Sequence, residues 1–410
     1  MEKLLVLGAG PFQVPLITKA QEMGIYVIAI TPDGPYPGIQ IADKVYFHDA
    51  KDEEYALEVA KKEQINGVIS DQGDLFVRPV AYVAEHMGLP GNTYETALNY
   101  TDKHRMREKS KELGLATIES RMVYTLDEAI EVFRSLGGQA IIKPVDSSSS
   151  RGISKIPTEE ELVAKWDEAK SYSRSGGIII EHFVTGPQFE VDSIAAGGHV
   201  YPLMYADLDE FDLPNVFSSK TRLYPSTADE EVVKKLLDYS QKINEGFGMH
   251  QGVSHNEYIM DENTGEIYLI ECALRGGGTY IATAIAANET GIDTQEFLVN
   301  VALGRLDDVP HFEMNQRHAG YVCFYLPLGE VISTEGKPEV EALPWVDKTK
   351  LANIEVGQHT KAAADKNQRC AIVFHADSRE EMLERIDIIK SMLKIKVRTE
   401  DGNIQGPIWG

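Results

Sequence analysis

The chain has 410 residues and a formal net charge of −24. Single hydrophobic cores stop growing at roughly 250–300 residues, so this length predicts two or three domains. A chain this acidic has no general attraction for phosphate backbones or anionic lipid, which argues against nucleic acid and membrane surfaces as partners. Any anionic ligand must be held by local Lys, Arg and backbone N–H groups, or through a metal ion.

The cysteines and the apolar runs indicate a reducing compartment and no membrane anchor. Cys272, Cys323 and Cys370 are far apart and lack metal-ligand spacing, so we interpret them as free thiols. No apolar stretch approaches the ~20 residues that cross a bilayer. The apolar run at the N-terminus is too short for a signal peptide. We therefore expect a cytoplasmic protein without membrane contact.

The first hundred residues alternate between strand and helix patterns. Residues 4–7 are continuously apolar, which is typical of a strand buried on both faces, and a helix is predicted at 15–23. Further strands are predicted at 26–30, 45–47 and 67–70, with a helix at 55–63. Strands separated by helices of this length predict βαβ units and a parallel sheet.

A glycine turn, Gly8-Ala9-Gly10, follows the first predicted strand. It resembles the start of a dinucleotide-binding fingerprint, but the third glycine of that pattern would fall at Gln13. No ribose-binding acid ends the next strand either, so NAD and FAD are disfavoured. Two interpretations stay open: a turn that lets a small anion approach the helix start, or a plain tight turn.

The remaining chain changes character twice. Between residues 101 and 305 short strands are joined by hairpins and mixed with helices, which predicts an α+β region. Its predicted helices are at 103–113, 159–170 and 230–246. From about residue 310, two strands and a final helix, at 319–325, 371–375 and 378–393, predict a small third domain.

The first candidate site in the central region is built around a lysine. Lys143 ends a predicted buried strand, residues 140–143, directly before Pro144. The next run, residues 146–152, is rich in serine and contains Arg151, so its backbone N–H and hydroxyl groups can wrap around phosphates. A serine-rich loop alone is usually just a loop, but one that follows a strand-ending lysine favours phosphate binding.

Residues 178–194 contain two predicted strands around a Gly186-Pro187 turn. The strands carry four polar side chains: Glu181, Gln188, Glu190 and Asp192. Such a crossover offers backbone groups to a flat heterocycle and side chains to sugar hydroxyls. The alternative is a plain hairpin with a polar face, and this segment alone favours the hairpin.

A predicted hairpin at residues 254–272 carries the third set of candidates. Its strands hold Glu257 and Glu271, and Glu271 lies within an apolar run, where a lone carboxylate is costly unless a cation balances it. Facing carboxylates suit one or two magnesium ions. Arg275 and three glycines follow. The arginine supplies a guanidinium, and the glycines let the backbone approach closely, so both suit phosphate binding. The alternative is a buried salt bridge between Glu271 and an arginine.

In this order and spacing, these segments resemble the ATP-grasp superfamily. The narrower resemblance is to its three-domain branch, which includes biotin carboxylase, carboxyaminoimidazole ribonucleotide synthetase, phosphoribosylglycinamide synthetase and the L-amino acid ligases. It implies a Rossmann-like parallel α/β (pre-ATP-grasp) domain over residues 1–100 and a central ATP-grasp fold over 101–305. A small α+β C-terminal domain over 306–410 completes the implied architecture.

The resemblance also implies site residues. ATP would be held by twelve residues: Lys103, Lys143, Ser147, Ser148, Ser149, Ser150, Arg151, Gly152, Glu181, His182, Val184 and Gln188. Within that set the two lysines would hold the α- and β-phosphates, and the serine-rich loop would close over the triphosphate. Glu181, His182 and Val184 would bind adenine mainly through their backbone groups, and Gln188 would face the ribose. Glu257 and Glu271 would bind Mg²⁺ or Mn²⁺, and Arg275 with Lys143 would be catalytic.

Two departures from the family pattern bear on these assignments. Ala273 stands where many members have a third metal ligand, an asparagine, and the serine run replaces the usual loop glycines, which predicts a stiffer loop. Substrate contacts are predicted for five residues: Lys220, Arg222, Gly276, Gly277 and Gly278.

The resemblance implies an ATP- and Mg²⁺-dependent carboxylate–amine ligase that acts on two small molecules through an acyl phosphate and releases an amide, ADP and phosphate. One alternative is a purine-biosynthesis type enzyme that acts on a phosphoribosyl substrate, for which a basic cluster at Lys220 and Arg222 would bind the ribose phosphate. The other is a non-catalytic nucleotide-binding protein. A homodimer is the assembly expected from the family.

Overall fold

The computed structural model describes residues 1–147, 151–214, 216–361 and 368–410. The predicted ATP contacts at Ser148, Ser149 and Ser150 lie outside the described residues. Across the described ranges, the helices are all too short or too polar to span a bilayer.

The N-terminal region is a four-stranded parallel sheet with helices on both faces. Its elements are β1 (Lys3–Leu7), α1 (Val14–Glu22), β2 (Tyr26–Thr31), β3 (Lys44–Phe47), α2 (Glu53–Glu63), β4 (Gly67–Ile69), α3 (Asp74–Met87) and α4 (Tyr94–Thr101). The strand order is β3-β2-β1-β4, with every pair parallel. Alternate residues of β1 enter two separate cores, which explains its continuous apolar run. The predicted parallel sheet is confirmed, although α3 and α4 were not predicted.

The central region begins with a small antiparallel sheet. Its elements are α5 (Lys103–Glu112), β5 (Ser120–Val123), α6 (Leu126–Ser135), β6 (Ala140–Pro144), β7 (Ser154–Ile156), α7 (Glu159–Ser171) and β8 (Ile178–His182). The strand order is β5-β8-β6-β7. Phe133 of α6 and Trp166 of α7 share one core with Ile142 and Ile180 of the sheet, so the two helices cover one face and leave the other toward the rest of the molecule.

A second, eight-stranded sheet forms the centre of the molecule. The elements after residue 187 are β9 (Gln188–Ala196), β10 (His199–Glu210), β11 (Ser219–Tyr224), α8 (Glu230–Phe247), β12 (Gly252–Met260), β13 (Ile267–Ala273), α9 (Ala286–Thr290), α10 (Thr294–Ala302), β14 (His318–Phe324), β15 (Gly329–Glu335), α11 (Lys337–Glu341), β16 (Val346–Thr349), β17 (Cys370–Ala376), α12 (Arg379–Met392), β18 (Lys394–Thr399) and β19 (Ile404–Gln405). The order in the large sheet is β13-β12-β9-β10-β11-β14-β17-β16. Three strands of the C-terminal hundred residues thus extend this sheet, while β15, β18 and β19 form a sheet of their own.

The strands on either side of the Gly186-Pro187 turn belong to different sheets. β8 pairs with β5 and β6, whereas β9 pairs with β10 and β12. The plain-hairpin interpretation of residues 178–194 is therefore wrong. The short segment 183–187 crosses from one sheet to the other, because each strand finds its hydrogen-bonding partners in a distant part of the chain.

The N-terminal sheet packs on the central region through a close backbone contact. A Cβ built on Gly67 of β4 would lie 2.4 Å from the carbonyl oxygen of Ala302, at the end of α10. Side chains of β1, α1 and α10 share one core with the central sheet. Only glycine allows this approach, so the packing of the two regions depends on a missing side chain.

Replacement of Gly67 by Ala is expected to destabilise the protein by about 1–3 kcal/mol, because the new methyl group forces β4 and α10 apart. Urea denaturation followed by circular dichroism measures the change. Gly278→Ala is the matched control, since a Cβ added at that position would meet nothing within 4 Å. Equal stability of the two variants would contradict the close-contact explanation.

Candidate active site

A cavity of about 270 Å³ lies between the small antiparallel sheet and the central sheet. Its walls include eleven of the residues predicted from sequence: Lys103, Lys143, Glu181, His182, Val184, Gln188, Arg222, Glu257, Glu271, Arg275 and Gly278. They come from both sheets, α5, the turn after β13 and the segment that joins the sheets. The fold therefore brings together segments that are far apart in sequence, such as Lys103 and Glu271, which are 168 residues apart.

The phosphate lysine predicted at Lys143 is held by a buried ion triad. Glu181 of β8 is completely buried and accepts hydrogen bonds from Lys143 Nζ at 2.5 Å and from Arg107 Nε at 2.6 Å. Burial alone would raise the pKa of Glu181, but the charges of Arg107 and Lys143 outweigh it and hold the pKa at about 2. The Glu181 side chain is thus committed to this triad and is not available to a nucleotide base.

Arg107 is a member of the site that the sequence analysis missed. It lies four residues after Lys103 on α5, so both side chains are on the same face of that helix. Its guanidinium also donates to the carbonyl oxygen of Ile270 on β13, at 2.8 Å. The spacing from Lys103 was the available signal, but its carboxylate partner lies 74 residues further along the chain.

Lys103 connects β13, the second strand of the β12–β13 hairpin, to the start of the serine-rich loop. Its Nζ donates to Glu271 Oε1 at 2.9 Å and to the carbonyl oxygen of Ser147 at 2.8 Å. The salt bridge considered for Glu271 therefore exists, but with a lysine and not an arginine. The Glu271 side chain keeps 37% of its exposure, so this carboxylate faces the cavity and is not buried in the strand.

Glu257 and Glu271 are direct neighbours across the β12–β13 ladder. A register irregularity follows Glu257, and both side chains line the cavity. Oxygen ligands from facing carboxylates fit the chemistry of Mg²⁺, which keeps waters and phosphate oxygens as its remaining ligands. The donor set therefore fits a magnesium ion with two protein ligands, as the alanine at position 273 predicts.

Arg222 on β11 is bound by the site's own acids. Its guanidinium contacts Glu190 and Glu257, and Nη1 lies 2.7 Å from Nε2 of His255. Because a guanidinium can only donate, His255 Nε2 must accept, so the ring carries its proton on Nδ1 and donates to Asp192 at 2.9 Å. His255 thus orients Arg222, which in turn contacts the carboxylate of Glu257.

A second group of possible metal ligands is buried next to Arg222. The ligand atoms of Glu190, Asp192 and His255 lie within 4.8 Å of one another and could hold a metal ion, but Arg222 and Tyr224 already contact these acids.

Lys220, which was predicted beside Arg222 as a substrate residue, does not enter the cavity. Its Nζ lies 3.1 Å from Asp209, and its side chain lines an outer groove. The pairing of β10 with β11 shifts register at this point and leaves Lys220 without a partner on β10, so its side chain and that of Arg222 face different ways although the two residues are only two apart on the strand.

The turn after β13 is held by the N-terminal region. Arg275 Nε donates to Asp74 Oδ1 at 2.9 Å, and the backbone N–H of Gly276 donates to Asp71 at the same distance. Burial opposes ionisation of Asp74, but the charge of Arg275 holds its pKa below the ordinary value. Asp71 and Asp74 follow β4 and were not predicted as site residues. Their position at the carboxyl end of a parallel strand was the available signal.

Ser147, Arg151 and Gly152 are not among the residues that line this cavity. Ser147 lines a neighbouring cavity, and Gly152 adopts a φ of +74°, where a Cβ would meet Pro144 and Tyr172 at under 3 Å. Arg151 is exposed. The glycine turn at residues 8–10 is closed by Gln13, whose Oε1 accepts from the N–H of Gly10 at 3.1 Å while its Nε2 donates to the backbone of Asp71. This supports the plain-turn interpretation over an anion site.

Glu181→Gln is expected to lower the free energy of unfolding by about 3–5 kcal/mol, because two buried cations lose their counter-charge. Chemical denaturation at pH 7 measures the loss. Glu112→Gln is the control, since its exposed pair with Lys109 contributes little. A loss no larger than that of the control would contradict the role of the triad.

The pH dependence of this loss has a defined sign. The folded pKa of Glu181 is depressed to about 2, below the unfolded value near 4.3, so its contribution is fully present above that unfolded value. The difference in unfolding free energy between wild type and Glu181→Gln is expected to shrink as the pH falls from 5 toward 2. Denaturation series at successive pH values test this, and a difference that stays constant to pH 3 would contradict it.

Comparison with known proteins identifies the central region. Residues 137–283 match the family model described as the ATP-grasp domain, so the chain contains an ATP-grasp domain. The alanine–anticapsin ligase of Bacillus subtilis is 26% identical over 379 residues, covering 82% of this chain and 79% of that protein. The carbamoyl phosphate synthase large chain of Clostridium botulinum is 24% identical over 360 residues, but this chain spans only 32% of its length.

Three solved structures share the fold over 96% of the chain. The L-amino acid ligase of Bacillus licheniformis superposes with a TM-score of 0.80 at 20% identity, over 98% of its length. A phosphoribosylglycinamide synthetase from Anaerococcus prevotii gives 0.74 at 18% identity, over 99% of its length. A biotin carboxylase domain from Hydrogenobacter thermophilus, solved with MgADP and bicarbonate, gives 0.76 at 18% identity, over 90% of its length.

Proposed function

We propose that this protein is an ATP- and Mg²⁺-dependent carboxylate–amine ligase that releases ADP and phosphate. The observation that carries the proposal is the pair of facing carboxylates, Glu257 and Glu271, in one cavity with Lys103, Lys143 and Arg275. The two carboxylates suit a divalent ion, and that ion together with the three cations would neutralise the charge of a bound triphosphate.

The lysines position the nucleotide phosphates. Lys143 is fixed by Glu181 at the end of β6, and burial lowers its pKa while Glu181 opposes the shift. Lys103 is within hydrogen-bond distance of Ser147, where the serine-rich loop begins. A triphosphate between these ammonium groups is held at two points.

The segment between the two sheets receives the nucleoside. His182, Val184 and Gln188 line the cavity where the chain crosses from β8 to β9. Gln188 Nε2 donates to Glu210 Oε2 at 3.1 Å, so an amide oxygen and a carboxylate lie side by side for the ribose hydroxyls. Glu210 is thus a ribose contact that the sequence did not suggest.

A magnesium ion held by Glu257 and Glu271 would neutralise phosphate charge and polarise the transferred phosphoryl group. The chain itself supplies orientation. His255 keeps Arg222 against Glu257, and Asp74 keeps Arg275 at the mouth of the glycine turn. These contacts fix the carboxylates and the guanidinium before substrate arrives, so less reorganisation is needed during the reaction.

The proposed reaction has two steps. The substrate carboxylate attacks the γ-phosphorus of ATP, which breaks the bond to the β-phosphate oxygen and leaves ADP and an acyl phosphate. The amine of the second substrate then attacks the acyl carbon and displaces phosphate, losing a proton to form the amide. Arg275 stabilises the oxygens that carry negative charge in both steps.

The alternatives find less support in the cavity. Of the two residues expected to bind a ribose phosphate, Lys220 lies outside the cavity, and Arg222 is neutralised by Glu190 and Glu257. A non-catalytic nucleotide binder would not need both facing carboxylates. The identities of the two substrates, the use of Mn²⁺, a homodimer and a cytoplasmic location stay predictions.

Glu271→Gln is expected to reduce carboxylate- and amine-dependent ADP release at least about a hundredfold, because one metal ligand loses its charge. ADP release is measured with Mg²⁺-ATP against a crossed panel of carboxylates and amines. ATP binding by calorimetry is expected to lose its dependence on Mg²⁺, while the melting temperature changes little.

Glu266→Gln, on the turn that leads into the same strand, is the control and should retain full activity. Wild-type turnover in Glu271→Gln would contradict the proposed role. ADP release by the wild type only with phosphoribosyl substrates would favour the purine-type alternative. If no pair of substrates causes ADP release although ATP binds tightly, the non-catalytic nucleotide-binding protein would be favoured.

A further inference from the structure

Arg369 is a third arginine of the active-site cavity, and it differs from the other two in its partners. Arg222 contacts Glu190 and Glu257, and Arg275 contacts Asp74. Arg369 precedes β17, and in the described ranges of the chain no carboxylate pairs with it. The cavity thus contains one guanidinium whose charge the described protein leaves uncompensated.

Neutral groups hold this guanidinium in place. Nη1 donates to the carbonyl oxygen of Ser219 at 3.0 Å and to its Oγ at 3.3 Å, and Nη2 donates to Thr279 Oγ1 at 2.7 Å. The guanidinium carbon lies 5.6 Å from the centre of the Tyr321 ring. Since arginine has five N–H donors, these three acceptors orient the group and leave donors for a ligand.

A second cation lies close to Arg369. Lys350 and Arg369 line one smaller cavity that adjoins the active site, and Lys350 Nζ lies 5.4 Å from the ring centre of Phe12 in the N-terminal turn. Burial lowers the pKa of Lys350, and the charge of Arg369 lowers it further. As with Arg369, no acid among the described residues pairs with Lys350. Two neighbouring cations without a counter-charge are unfavourable in the empty protein and favour an anionic ligand.

The contact with Thr279 connects this pair of cations to the catalytic turn. Thr279 and Tyr280 have φ values of +57° and +62°, a conformation that residues with a Cβ rarely adopt. They directly follow the glycines after Arg275, so the turn carries Arg275 at its start and the Arg369 contact at its end. A substrate bound along this turn reaches both guanidinium groups.

We propose that Arg369, with Lys350 beside it, binds a non-reacting carboxylate of the amine substrate, which is therefore an amino acid. The inference rests on the proposed ligase function. The reacting carboxylate must lie at the triphosphate, near Arg275 and the two glutamates, so it cannot be the group at Arg369. An amine attacks only when it is uncharged, so charge recognition of that substrate requires another group on the same molecule. An α-carboxylate, two bonds from the amine, supplies that group.

The test compares the proteinogenic L-amino acids with their carboxamides as amine substrates, at a fixed carboxylate donor. Arg369→Gln is expected to raise the KM for the preferred amino acid by roughly 10–100-fold, the effect of losing a charge-assisted hydrogen bond. The KM for its carboxamide and the KM for ATP should change less than about threefold. Arg369→Lys should recover part of the loss, because it restores charge without the guanidinium geometry.

Arg398→Gln is the matched control, since Arg398 is exposed and pairs with Glu330 away from the cavity. Equal KM increases for amino acid and carboxamide would assign Arg369 a purely structural role and overturn the proposal. The proposal would also be overturned if Arg369→Gln raised the KM only for a dicarboxylic donor or only for a phosphoribosylamine, since the anion at Arg369 would then belong to a different substrate.

A binding measurement separates this proposal from the proposed function. Calorimetry or thermal shift with the same amino acids, in the presence of Mg²⁺ and a non-hydrolysable ATP analogue, needs no turnover. Amino-acid binding by the wild type that is lost in Arg369→Gln supports the subsite even if no ligase activity is found. Wild-type ligation of amino acids with unchanged binding by Arg369→Gln would refute the subsite and leave the ligase function intact.

Discussion

The cavity depends on one buried ion triad. Glu181 has no contact with solvent, and its carboxylate joins a lysine from β6 and an arginine from α5. Because Arg107 also donates to Ile270 of β13, the triad connects the small antiparallel sheet to the central sheet. A buried carboxylate is tolerable only with paired cations in good geometry, so the requirement that stabilises Glu181 also fixes the position of Lys143.

Charge is distributed unevenly through the site, and the unevenness indicates what each end binds. Around Glu190, Asp192, Glu257 and Glu271 the acids outnumber the cations, which suits a divalent ion. At Arg369 and Lys350 the cations lack an acid in the described chain, which suits a carboxylate. The chain as a whole is strongly acidic, so anion binding depends on these local groups and not on a general positive field.

The N-terminal and C-terminal regions contribute to the site through contacts that the central region cannot supply. Asp71 and Asp74, after β4, hold the turn that carries Arg275. Arg369, before β17, contacts the end of the same turn. The turn is thus held at one end by the N-terminal sheet and at the other by a strand of the extended central sheet. A change in the packing of either region would therefore move Arg275 and the proposed carboxylate site at Arg369 together.

Local patterns in the sequence determined much of the fold and part of the site. Apolar runs and glycine stops predicted β1, β2, β6 and the β12–β13 hairpin, because strand burial and turn formation depend on residues close in sequence. The same locality predicted that Glu257 and Glu271 face each other. Motif order predicted which residues line the cavity, including Lys103, Lys143 and Arg275.

Pairings between distant residues were decided only by the tertiary structure. The sequence could not assign β8 and β9 to different sheets, because their partners lie far along the chain. It could not show that Glu181 is committed to Arg107 and Lys143, that Lys220 leaves the cavity, or that Arg369 enters it. In each case the outcome depends on which backbone or side-chain groups the folded chain brings within a few ångströms, and sequence spacing carries no record of that distance.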